Sequence, residues 1–183
     1  MKRTYDRREI LATGAALTAA ALPRTLFGQA PAVATRQGVK PVVISDLSGI
    51  KWKNGGTVCA VEKAFALMTS GSDVLDAIIA GINIPELDPG ETGIGYGALP
   101  NADGVVQLDA CCMDGPTMRA GAVAAIEGFR HPARVALEVR RRTTRVLLVG
   151  EGAARFARSV GFESQELLTD RARKIWLYWK ANM

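Results

Sequence analysis

The sequence is poor in the side chains that bind metals and form disulfides. Its 183 residues include one histidine, His131, and three cysteines, with no CxxC or HxxxH spacing. A zinc site needs three or four such ligands that converge on one point, so no metal site is predicted. The cysteine count is odd and Cys111 and Cys112 are adjacent, so a disulfide framework is not expected.

The sequence also lacks a hydrophobic run of membrane-spanning length near its basic start. The apolar stretch from Ile10 to Leu22 is shorter than the roughly 20 residues that cross a bilayer. A basic start, an apolar stretch and a small-residue ending are the layout of a secretory signal. Arg7 and Arg8 resemble a twin-arginine export signal, and the alternative is an ordinary secretory signal with an incidental arginine pair.

Cleavage is expected after Ala34, where Ala32 completes an A-x-A pattern. The chain would then consist of a signal peptide, residues 1–34, and a folded region, residues 35–183. We expect this region to be exported, to the periplasm or the extracellular space, without a stable membrane anchor. Much of the formal net charge of +5 lies in the N-terminal segment, so nucleic acid is not an expected partner.

Hydrophobic periodicity and turn residues predict strands and helices in groups. Residues 40–45 are typical of a buried strand, and residues 57–70 have the apolar spacing of a helix. Ser72 is expected to cap a second helix, which Gly81 ends before a loop that contains two prolines. The runs GIGYGAL and GVVQLDACC are expected to form a hairpin through the turn PNADG. The remaining predicted elements are a strand at RAGAVAAIEG, a helix at HPARVALEVRRRT, a strand at RVLLVG, and helices at EGAARFARSVG and SQELLTDRARKIWLYWK.

This order of elements, which contains no repeat, predicts a layered α+β fold. The glycine-rich GIGYG run is not a nucleotide site, because a dinucleotide fingerprint needs a strand before it and a helix after it. We expect its glycines to mark a place where another layer approaches closely. No cofactor is predicted.

Two groups of polar residues could carry chemistry. Cys111 or Cys112 with His131 would supply a thiol nucleophile and its base, but buried cysteines in a strand and a histidine at a helix entry are favoured. The carboxylates Glu86, Asp88 and Glu91 could form an acid pair or a calcium site. The register of a calcium loop is missing, so a solvated loop is the expected role.

Two further groups are interpreted as surface features. Trp176 and Trp179, three residues apart, predict an apolar stripe that packs against a partner surface. The arginines near the fourth predicted helix lack interleaved aromatic residues, so a solvated helix face is expected rather than a basic binding patch. These arginines are Arg130, Arg134, Arg140, Arg141, Arg142 and Arg145.

A long continuous stretch of the sequence resembles the first chain of the glycosylasparaginase and isoaspartyl peptidase/asparaginase family. The resemblance begins at PVVIS and SGSDVLDAIIAGINIPELDP and is most specific in GYGALPNADGVVQLDACCMDGPTMRAGAVAAIEG. It continues through HPARVALEV, RVLLVGEGAARFARSVGF and LLTDRARKIWLYWK. The resemblance implies an N-terminal-nucleophile hydrolase of the αββα sandwich type, of which this chain would be an incomplete, first-chain half.

The resemblance implies hydrolysis of β-aspartyl amide bonds by a threonine exposed at the start of a second chain. In this family the cleavage point is marked by the tripeptide His-Asp-Thr, and no threonine in this sequence follows a His-Asp dipeptide. We therefore expect no catalytic residue in this chain, and we expect the nucleophile-bearing second chain as its partner in a hetero- or homo-oligomer. The alternative is a non-catalytic truncated remnant or a binding half-domain.

Two positions bear on the site that the resemblance implies. Some family members carry a substrate-contacting tryptophan where this sequence has Leu47, so Leu47 is the one substrate-binding candidate, and Trp52 could substitute for it. Thr35 would become a free N-terminal threonine after cleavage at Ala34. It precedes a flexible linker rather than a central strand, so a nucleophile role is not expected.

Overall fold

The structure is a computed structural model and describes residues 40–182. Helices and strands follow one another in groups along this part of the chain. In order they are α1 (Ser48–Lys51), α2 (Ala60–Thr69), α3 (Val74–Leu87), β1 (Gln107–Asp114), β2 (Arg119–Glu127), α4 (Pro132–Arg142), β3 (Leu147–Val149), α5 (Gly150–Ser159) and α6 (Asp170–Ala181).

The three strands form one sheet in the order β1-β2-β3. Strands β1 and β2 are antiparallel, and the Met118 N–H donates to the Gly115 carbonyl (3.2 Å) to close the turn between them. Strand β3 runs parallel to β2, with Leu147 opposite Ala122. In the described part of the chain, β1 and β3 are therefore the edges of the sheet.

Helices α4 and α5 cover one face of this sheet. Val123 and Ile126 of β2 are fully buried there against Val135 and Val139 of α4. Gly121 allows this approach, because a Cβ at this position would overlap the backbone of α4 at Ala136. The hydrophobic core thus lies between the sheet and one layer of helices.

The other face of the sheet is apolar and exposed. It carries the rows Met113–Ala120, Cys111–Ala122–Leu147 and Ala124–Val149, because residues paired across strands point to the same side. The exposed fractions are 60% for Met113, 50% for Leu147 and 54% for Val149. No element among residues 40–182 packs on this face.

Five predicted elements are confirmed, with boundaries shifted by a few residues. They are α2, β2, α4, β3 and α5, and α4 begins with Pro132 and ends in three arginines, as the helix dipole favours. The last helix is shorter than expected because it begins at Asp170, where the Thr169 hydroxyl accepts the Ala172 N–H (3.2 Å).

The predicted hairpin around PNADG is wrong. The turn itself forms, since the Asn101 side chain accepts the N–H groups of Asp103 and Val105 (both 3.0 Å), but no strand precedes it. Gly95 and Gly97 have φ angles of +63° and +102°, which are incompatible with an extended strand. The hairpin is instead formed by β1 and β2.

The predicted end of the second helix is also wrong. Helix α3 continues through Gly81 and Pro85, and its N-cap is Asp73 rather than Ser72, since the Asp73 carboxylate accepts two backbone N–H groups. Position 81 requires glycine because a Cβ there would stand only 2.6 Å from the Ala60 carbonyl oxygen of α2. This glycine serves close helix packing rather than helix termination.

The strand predicted at residues 40–45 is not formed. Val42 and Ile44 are 74% and 90% exposed, and no described strand pairs with this segment. A single β-branched segment has no stable strand conformation without a neighbour to complete its hydrogen bonds. The described residues therefore show a mixed α+β fold with one sheet, and the second sheet of the expected sandwich stays a prediction.

Candidate functional site

A deep cleft lies along the free edge of β1. It has a volume of about 630 Å³ and is bounded by residues 43–45, α2, α3, residues 93–99 and the start of α4. Its apolar side chains come mainly from the helices, and they include Val61, Leu75, Ile78, Ile79 and Ile82. The cleft lies between the free edge of β1 and residues 43–45, which belong to the segment that was predicted to form a strand.

Glu86 is a buried carboxylate that lines this cleft, and it is only 3% exposed. Its side chain accepts hydrogen bonds from Asn83 Nδ2 (2.7 Å) and from the Ala133 N–H at the start of α4 (3.0 Å). Burial raises the pKa of Glu86 to about 7, although these two hydrogen bonds and the Arg134 charge act in the opposite direction.

The expectation that Glu86, Asp88 and Glu91 form a solvated loop is therefore wrong for two of the three. Glu91 is 7% exposed and accepts the Gly93 N–H (2.7 Å). Asp88 binds the N–H groups of Asn54 (2.7 Å) and Gly90 (2.9 Å). All three carboxylates hold backbone N–H groups, and within residues 40–182 no group of three His, Cys, Asp or Glu side chains is placed to bind a metal ion.

The sequence contains a signal for the burial of Glu86 that the loop interpretation missed. Leu75, Ile79, Ile82 and Glu86 follow one another at intervals of four, three and four residues, which places them on one face of a helix. Pro85 suggested that the helix had already ended. Because α3 continues through Pro85, its apolar face carries the Glu86 carboxyl group into the cleft.

The cysteines and the histidine are not brought together. Cys111 and Cys112 line the cleft, whereas His131 lines a separate pocket beside Arg134 and Phe162. Burial raises the pKa of the Cys112 thiol and lowers the pKa of His131, so neither group is poised as a thiolate or a strong base. Cys112 is a packing residue as expected, but Cys111 is exposed.

Four of the six arginines are exposed, as expected for a solvated helix face, and most of the six also contact a neighbouring side chain. Arg140 pairs with Asp114 (2.5 Å), and the hydrogen bond from the Thr117 hydroxyl, together with the hydrogen bond and charge of this arginine, lowers the pKa of Asp114. The remaining contacts are Arg141 with Asp76, Arg142 with Glu138, Arg130 over the Tyr96 ring and Arg134 over the Phe162 ring.

Leu47 is 70% exposed and stands at the start of α1, where its carbonyl accepts the Ile50 and Lys51 N–H groups. It does not line the cleft, although residues 43–45 do. Trp52 lies next to Gly90, and Lys51 stacks over its ring (4.4 Å). Thr35 and the expected signal peptide lie outside the described residues.

The tryptophans of α6 differ in their surroundings. Trp176 contacts Gly104, and Lys180 stacks over its ring (5.0 Å) while also binding the Ala102 carbonyl (3.1 Å). Trp179 is 53% exposed. Trp176 thus attaches the last helix to the turn before β1, and the partner surface expected for Trp179 is not among residues 40–182. No described helix is long and apolar enough to cross a membrane.

Known proteins resemble this chain over most of its length. It is 41% identical over 140 residues to an N(4)-(β-N-acetylglucosaminyl)-L-asparaginase of Elizabethkingia miricola, a match that covers 76% of this chain and 39% of the relative. It is 44% identical over 117 residues to a plant-type L-asparaginase of Pyrococcus abyssi, covering 64% of this chain and 38% of the relative. An isoaspartyl peptidase/L-asparaginase of Rattus norvegicus is 34% identical over 122 residues, a match that covers 65% of this chain and 36% of the relative.

The chain spans about two fifths of the length of these curated relatives. A profile that describes asparaginases matches residues 37–183, which include every element of the described fold. The match covers the cleft, the sheet and the last helix in one continuous block. The chain therefore belongs to the asparaginase family of amidohydrolases.

Proposed function

We propose that this chain is the first part of an amidohydrolase that cleaves β-aspartyl amide bonds once a second chain completes it. Family membership supports the reaction class, since relatives are named for asparaginase, glycosylasparaginase and isoaspartyl peptidase activity. The shared chemistry is hydrolysis of an amide on an aspartyl side chain.

The exposed apolar face of the sheet is the observation that supports a missing second part. The exposed methionine, leucine and valine side chains on this face are unfavourable in water. Two sheets stack about 10 Å apart when their apolar faces meet. A second sheet on this face would complete the αββα sandwich, and a strand in the cleft would pair with the free edge of β1.

The proposed nucleophile is a threonine at the start of the second chain. Its hydroxyl oxygen attacks the amide carbon while its own α-amine accepts the hydroxyl proton. The amine product then leaves with a proton, and water hydrolyses the resulting ester. Within residues 40–182, the candidate thiols and the histidine line separate pockets, so they do not form a nucleophile and base pair there.

We also propose export by the signal at residues 1–34, with Arg7 and Arg8 as the twin-arginine element. A reporter fused to this segment should cross the membrane, and replacement of both arginines by lysine should abolish delivery. Undiminished delivery of the double-lysine variant would show that the pair is incidental and that an ordinary secretory signal operates.

Release of ammonia from asparagine, and of the amine from substituted β-aspartyl amides, tests the proposed reaction. The purified chain should release none, and addition of a threonine-initiated second chain from a relative should produce slow turnover. A second chain with its first threonine changed to alanine is the matched control and should be inactive. Turnover by this chain without a partner would show that the nucleophile has been misplaced.

A further inference from the structure

Glu86 makes hydrogen bonds to three segments at one end of the cleft. Its side chain accepts the Asn83 amide of α3 (2.7 Å) and the Ala133 N–H of α4 (3.0 Å). Its backbone carbonyl accepts the Tyr96 N–H (2.7 Å), which fixes the glycine-rich segment against the end of α3. One residue therefore holds together the end of one helix, the start of another and a wall of the cleft.

The surroundings of Glu86 contain little charge that could stabilise a carboxylate. No cation forms an ion pair with it in the described part of the chain, and Arg134 of α4 is the one positive charge found to act on it. The cleft-lining residues of α2 are apolar, and α3 contributes no other titratable group to the lining. Strand β1 faces the cleft with Asp109, Cys111 and Cys112, none of which is a cation.

We propose that Glu86 is a proton-controlled latch, whose neutral carboxyl group holds α3, α4 and the cleft wall together and whose ionisation weakens that junction. In the neutral form one oxygen still accepts the Ala133 N–H. The other carries the proton and donates it to Asn83, whose amide can turn its oxygen toward the carboxyl group. The neutral latch thus satisfies both neighbours without placing a charge against the apolar cleft.

The direction of the pH effect follows from the two states of the chain. In the unfolded chain Glu86 loses its proton near its ordinary pKa of 4.5, whereas in the folded chain burial keeps the proton up to a pKa of about 7. A group whose pKa is raised by folding stabilises the folded chain fully at a pH below its pKa in the unfolded chain. That stabilisation is lost as the pH rises from the unfolded pKa to the folded pKa. The latch therefore holds best in mild acid and is weakest above neutrality.

Urea unfolding of the full chain between about pH 5 and about pH 8 tests the latch. The wild-type midpoint should fall across this range by on the order of 1 M urea, and Glu86→Gln should remove most of that fall. Glu91→Gln is the matched control, because Glu91 is also buried and holds a backbone N–H group but does not line the cleft. It should keep the wild-type pH profile.

Identical pH profiles for the wild type and Glu86→Gln would overturn the latch. If that variant does not fold, carbon-13 NMR of the glutamate carboxyl groups in the wild type decides instead. One buried carboxyl that titrates near neutrality supports the latch, and ordinary titration of every glutamate overturns it. The absence of a folded baseline at every pH also overturns it. These results do not depend on ammonia release, so they stand or fall separately from the proposed reaction.

Discussion

At the scale of single residues, backbone contact between Gly95 and Glu86 shapes the wall of the cleft. The Gly95 φ of +63° is in the left-handed region, and a Cβ at this position would overlap the Glu86 carbonyl. The neighbouring Tyr96 N–H donates to that same carbonyl (2.7 Å). The prediction that glycines in GIGYG permit a close approach is thus confirmed, although the segment is not a strand.

Replacement of Gly95 by alanine should destabilise the chain by roughly 2–5 kcal/mol, from the left-handed backbone and the overlap together. Gly71→Ala is the matched control, because Gly71 also has a positive φ, +92°, but has open space where a Cβ would stand. Its cost should be only about 1–2 kcal/mol, from the backbone alone. Denaturant unfolding midpoints measure the loss of stability in both variants. Equal losses would show that the close approach of Gly95 to Glu86 does not constrain this position.

At the scale of elements, the local sequence was sufficient to predict those helices and strands whose own residue pattern determines their structure. Helix α4 has a proline at its start, an apolar face and a basic end, and β2 has a run of small and β-branched residues between turns. These signals act within ten or so residues and do not depend on distant partners. Both elements were predicted correctly for that reason.

Elements that depend on distant contacts were predicted less well. Gly81 was predicted to end the helix, but it packs against the backbone of α2. Gly95 and Gly97 were predicted to lie in a strand, but they pack against the backbone of Glu86 and of Pro89. The burial of Glu86 depends on α3 continuing past Pro85. For the glycines, a neighbour outside the local segment decides the conformation, and their own segment does not contain that information.

At the scale of the whole molecule, the described fold has one layer of helices on one face of a three-stranded sheet. The opposite face and the free edge of β1 are the two surfaces that a second chain would cover in the proposed enzyme. Exposed edges and apolar faces favour association. The chain without its partner should therefore self-associate, and this tendency should disappear on assembly.

Hydrogen exchange of the backbone amides, with and without a threonine-initiated second chain, tests most directly that a second chain completes this fold. Amides that face the open edge of β1 in residues 107–113, and those of residues 40–45, should become protected when the second chain is added, because both segments gain strand partners. Amides of α4 serve as the internal reference, since that helix is already covered by the sheet. Protection confined to other surfaces, or no change in either segment, would contradict the account.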